Sequence, residues 1–182
     1  ALPIYINNGY TYLQRMVDFV KPGGMVISIE CNREFESCGL HIEGMNYSDL
    51  CMHDGLKKLW KTELEKQNRD YSIAMKIPHY MKKIGLQNVE CRVNDKVNIL
   101  ESGQDNYQDK LESIIRADHW FYEKTKEEIE TDIEYFMNHG MSRTEAEEYC
   151  DQQNGIVRFL KEHRNDISLT KIMGLLISYG WK

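Results

Sequence analysis

Apolar residues recur with a helical period over the first twenty positions of the chain. Leu13, Met16, Val17 and Val20 share one face and Asn8 stands at the capping position, so the spacing predicts a helix from Asn8 to about Lys21. Lys21-Pro22-Gly23-Gly24 ends it, because proline brings no amide hydrogen and the glycines permit a positive-φ turn. The run Met25-Val26-Ile27-Ser28-Ile29-Glu30-Cys31 then reads as a buried strand. An irregular polar stretch is expected over 32–46. Helical spacing resumes from Ser48 to Gln67, with Leu50, Leu56, Leu59, Trp60 and Leu64 inward and Lys57, Lys58 and Lys61 toward solvent. After a loop at 68–71, Ile77-Pro78 opens another helix with proline in its first turn, Gly85 closes it, and a second strand follows at 89–93.

From Lys96 the pattern changes to a charged, helical tract. Thr125-x-x-Glu128 and Ser142-x-x-Glu145 are capping boxes, in which hydroxyl and carboxylate each satisfy a free amide at a helix start. The first helix carries Ile129, Ile133, Phe136 and Met137 and closes at Asn138-His139-Gly140. The second carries Ala146, Tyr149, Cys150, Ile156, Val157 and Leu160, and the two are expected to form a hairpin. The β-branched and aromatic content of Ile172 to Tyr179 predicts a last strand at about 173–180.

Composition narrows the function classes. With 182 residues, 41% hydrophobic and 29% charged, the chain can bury a core. A net charge of -6 argues against binding driven by nucleic-acid phosphates, and no apolar run approaches a membrane span. A cytoplasmic protein acting on a small molecule, with neither nucleic acid nor membrane as partner, is the expectation. Five cysteines without a Cys-x-x-Cys pair fit reduced thiols. Cys31, Cys38, His41, Cys51 and His53 gather loosely, but only Cys38 and His41 approach the spacing of metal-ligand pairs, so no metal is expected.

Two helix-turn-strand units, one through Lys21-Pro22-Gly23-Gly24 into Met25–Cys31 and one through Ile84-Gly85-Leu86 into 89–93, together with the C-terminal apolar strand, resemble the back half of a class I S-adenosylmethionine-dependent methyltransferase. The resemblance implies an α/β fold. It makes the chain the C-terminal part of a Rossmann-like sheet, with strands five, seven and six in that order and a helical insertion before the last strand. It also implies a core of residues 1–95 and 172–182 and an insertion at 96–171 that, with the 32–55 region, forms a cap over the substrate. Ala1, Leu2 and Pro3 would follow strand four and pass near the cofactor. The glycine-rich loop and acidic residue by which such enzymes hold S-adenosylmethionine do not occur in this sequence, so the chain alone is expected to bind the cofactor weakly or not at all.

In an open α/β sheet ligands bind beyond the carboxyl ends of the parallel strands. Glu30, Asn32 and Arg33 stand at that end of the first strand. Glu30 either orients or deprotonates a substrate group or bonds nearby amides as a strand-end carboxylate. Asp70 and Tyr71 lie in the loop before the Ile77-Pro78 helix, a region that in relatives faces the substrate, although Asp70 also suits a turn cap. Trp120 and Tyr122, in the run His119-Trp120-Phe121-Tyr122, either wall a pocket for an apolar or cationic substrate or anchor the insertion onto the sheet. These seven residues are the substrate-binding candidates; none is assigned a catalytic role, and His53 and His79 read as structural histidines. The competing class is a non-enzymatic interaction module built on a degenerate half-domain. In either case the strand at 25–31 lacks its strand-four neighbour, so assembly with a second copy through that sheet edge is expected.

Overall fold

The computed structural model describes residues 8–51, 54–95 and 97–182, and the chain divides into two compact units. Unit 1 comprises 1–37, 60–96 and 172–182; unit 2 comprises 38–59 and 97–171. Residues 38–59 therefore fold with the segment after 96 and not with the 1–95 core.

Unit 1 begins with α1 (Gly9–Phe19), where the Asn8 side chain accepts from the Thr11 amide as the sequence predicts. It continues through β1 (Met25–Cys31) and the short α2 (Arg33–Ser37). After the intervening unit 2 residues it holds most of α4 (Asp54–Gln67), then α5 (Ile73–Ile84), β3 (Gln87–Val93) and finally β6 (Leu175–Trp181). The helix expected to open at Ile77 opens four residues earlier, and Pro78 lies inside it. Its buried face, Ile73, Ala74, Ile77 and Met81, runs unbroken past the proline, and packing outweighs the lost backbone bond. Gly85 closes α5 in the left-handed region at φ 101°, as expected of a C-terminal glycine.

The sheet order is β1-β6-β3. Both pairings to β6 are antiparallel, so the parallel ladders of a Rossmann-like sheet do not occur among the described residues. Its inner face meets α1 and α5 through Leu13, Val17, Val26, Ile77, Met81 and Leu86. Among the described residues the other face is left exposed. Met25, Ile27 and Ile29 lie opposite Trp181, Tyr179 and Ile177 there, and the first three are 46%, 51% and 52% exposed.

Unit 2 is more than a helical insertion. It holds β2 (Leu40–Ile42), α3 (Tyr47–Leu50), β4 (Val97–Leu100), α6 (Tyr107–Asp118), α7 (Lys126–Asn138) and α8 (Arg143–Glu162), with β5 (Leu169–Ile172) ending at the boundary. A second sheet, β2-β5-β4, joins the stretch expected to be irregular to the end of the charged tract. The single helix expected over 48–67 is two elements, α3 and α4, separated by residues that include 52 and 53, which lie outside those described. Both capping boxes form as predicted, and Lys58 donates to Glu145 at 2.6 Å. Leu40, Ile42, Leu100, Leu111, Ile156 and Leu160 belong to one enclosed core.

Candidate functional site

Beyond the carboxyl end of β1 the chain turns sharply into α2. Asn32 makes that turn: its Oδ1 accepts from the amides of Glu34 and Phe35, each at 3.1 Å, and its own amide donates to Gly174 O at 2.6 Å. A Cβ on Gly174 would fall 2.7 Å from Glu36 N and 2.8 Å from Asn32 O, so this approach to the start of β6 requires glycine. Asn32 is thus a buried helix cap that also borders a groove.

That groove, of about 230 Å³, is lined in part by Asn32, Glu34, Trp60, Asp70 and Tyr71. Three residues named from sequence, Asn32, Asp70 and Tyr71, therefore meet in unit 1. Behind them stands Glu63, wholly buried on α4, which accepts from the Tyr71 hydroxyl at 2.6 Å and from Arg69 at 2.9 Å. Burial, and then the bond to Glu63, push the Tyr71 hydroxyl up to about 12. Trp60 lies against the Tyr71 ring with centroids 5.8 Å apart. Asp70 caps Ser72 through its amide and hydroxyl and accepts from Lys76 at 2.6 Å. Burial alone would raise its carboxyl, but the bonds from Lys76 and Ser72 together hold it below the ordinary value. At neutral pH the groove therefore presents a fixed phenol, an indole and an ionised, already paired carboxylate, with the exposed Glu34 and Lys61 also on its lining.

Glu63 was not among the sequence candidates. The signal for it was its position: it follows Leu56, Leu59 and Trp60 at helical spacing and so puts a carboxylate on the apolar face of α4.

The other candidates divide. Glu30 points to the inner face of the sheet, and burial raises its carboxyl above the ordinary value. Arg33 pairs with Glu36, which also accepts from the Cys31 thiol at 3.1 Å. Trp120 and Tyr122 belong to unit 2 and so do not share the groove of unit 1. Trp120 is 8% exposed and part of the unit 2 core, its indole donating to Gln153 at 3.0 Å, whereas Tyr122 is 60% exposed and donates to Glu128. Ala1, Leu2 and Pro3, the expected cofactor contacts, lie outside the described residues.

The groove, at about 230 Å³, is smaller than the roughly 300–1,000 Å³ typical of ligand pockets. Among the described residues no group of three or more His, Cys, Asp or Glu side chains is placed to hold a metal ion, and no helix is long and apolar enough to cross a membrane. No protein-family model and no curated protein matches the chain.

Proposed function

We propose that unit 1 is the C-terminal part of a class I methyltransferase sheet and that the protein it belongs to transfers a methyl group from S-adenosylmethionine to a small molecule. The observation that carries this reading is the strand order. β6, last in the chain, lies between β1 and β3 and runs against both, so the two outer strands point the same way, each after a helix. The chain leaves unit 1 after β1 and β3 and re-enters it before β6; since Cys31 is opposite Leu175 and Val93 opposite Leu176, all these crossings follow one end of the sheet. The groove bounded by Asn32, Asp70 and Tyr71 is the acceptor-side candidate. Cofactor affinity is assigned to sequence outside this chain.

Isothermal titration of S-adenosylmethionine, into residues 1–182 and into the full product of the reading frame that encodes them, tests the proposal. The expected result is no heat from the first and micromolar binding by the second. Micromolar binding by 1–182 would relocate the cofactor site and overturn the reading. Absence of binding by the full product would overturn methyl transfer and favour the interaction module, whose support is the open apolar face of Met25, Ile27 and Ile29.

A further inference from the structure

Unit 2 contains a pocket of about 220 Å³ between the segment after α6 and the helices α7 and α8. Trp120, Ile129, Phe136, Tyr149, Cys150 and Val157 form its apolar wall. Phe136 and Tyr149 meet edge to face with centroids 5.3 Å apart, and Lys171 Nζ stands 5.2 Å from the centre of the Trp120 ring, so three aromatic side chains are held in place before anything enters.

Most polar groups at the pocket are engaged with one another, while His119, at its exposed edge, meets Phe121 edge to face. Lys124 pairs with Asp132, and its backbone N–H and C=O are both bound by the Asn154 amide, at 3.0 and 3.1 Å. Gln153 accepts from the Trp120 indole, and Asp118 pairs with Lys171. The Cys150 thiol, pushed up to about 11 chiefly by burial, stays protonated at neutral pH and adds no charge. Apart from His119 at the edge, the charged groups are already paired, so a charged ligand inside the pocket would have to break one of these pairs to find a counter-ion, whereas an uncharged ring needs only the aromatic wall.

We propose that this pocket binds a small uncharged aromatic molecule. A dry cavity of about 150 Å³ is enough to hold benzene, so the space here extends to a two-ring system. The pocket lies wholly within unit 2, and its occupancy is independent of the cofactor reading of unit 1.

Saturation-transfer NMR on the whole 182-residue chain tests this, with indole as the neutral probe and benzoate and benzylammonium as charged probes of similar size. Indole is expected to bind saturably and at least tenfold more tightly than either ion. Ile129→Trp, at a half-buried position on the wall, and Cys150→Phe, deeper in, are each expected to weaken indole at least tenfold. If one variant fails to fold, as judged by near-ultraviolet circular dichroism, the other carries the test. No saturable indole binding, equal binding of either charged probe, or undiminished binding in a folded variant would overturn the proposal.

Discussion

The two units place their apolar residues differently. Unit 2 encloses a core drawn from both strands and helices, in which Ile42, Leu100 and Leu111 have no exposed surface, although Val97 and Ile99 on β4 are about half exposed. Unit 1 puts its apolar strand residues on both faces of one sheet and covers only one. Its inner face even receives the smaller and more polar members, with Val26, Ser28 and Glu30 opposite Gly180, Ser178 and Leu176, while Met25, Ile27 and Ile29 face outward. A continuous apolar strand of this kind belongs to a sheet covered on both sides. The contrast lies in the sheet: the enclosed core of unit 2 is drawn from strands and helices together, whereas β1 of unit 1 leaves every second apolar residue about half exposed. Among the described residues β1 pairs only with β6, and its other edge is the one through which the sequence-based proposal has a second copy assemble.

The largest expected effect breaks this comparison if it fails. Leu111→Ala in unit 2 should cost about 3–5 kcal/mol in urea unfolding, because a fully enclosed leucine leaves a cavity that its neighbours fill only in part. Ile29→Ala in unit 1 should cost less than about 1 kcal/mol, since half of that side chain already meets water. Equal losses would show that the outer face of the sheet is covered in solution, and light scattering would show whether a second copy covers it.

Much of this arrangement was legible in the sequence, and the losses have physical reasons. Asn8, Gly85, Thr125 and Ser142 act through local backbone geometry, so their residue types alone placed four helix ends. β1 was legible because its apolar run is flanked by a Pro-Gly turn. β2, with three residues, and β4 and β5, with four each, are too short for a period to show, and they become strands only by pairing across the chain. That long-range pairing is also what moves 38–59 into unit 2. At the site, Asp70 and Tyr71 were found through their loop, but Trp120 and Tyr122 were grouped with them on residue type alone. Nothing in the local sequence records that they fold into the other unit.

A smaller effect sharpens the comparison at the buried ion pairs. Arg69→Met removes the cation beside Glu63, a carboxylate with no exposed surface, and should cost about 3 kcal/mol. Lys171→Met removes the cation beside Asp118, whose side chain is 18% exposed and keeps some access to water, and should cost about half as much. Urea midpoints of the two variants check the order. A larger loss for Lys171→Met would mean that the pair under Trp120, and not the Glu63 cluster, is the more tightly held polar centre.

The smallest expected effect appears at alkaline pH. In unit 1 the Tyr71 hydroxyl rises from its ordinary 10.0 to about 12, and the Cys31 thiol from 9.0 to about 12, both chiefly through burial and then through contact with a carboxylate. In unit 2 the Cys150 thiol rises from 9.0 to about 11. All three shifts are upward, so over the window between the two values the folded state holds protons that the unfolded chain has released. Their contribution is complete below the unfolded values and is lost as pH climbs through the folded ones. Raising pH from 8 to 11 should therefore lower the stability of unit 1 by on the order of 2 kcal/mol, after allowance for partial solvent access, and that of unit 2 by less. Urea unfolding followed by resolved NMR signals from β1 and from α8 separates the two. Tyr71→Phe, which has no proton to lose, should shrink the loss in unit 1 alone; if it leaves the alkaline slope of the β1 signals unchanged, the Tyr71–Glu63 bond does not couple the groove to the stability of the sheet.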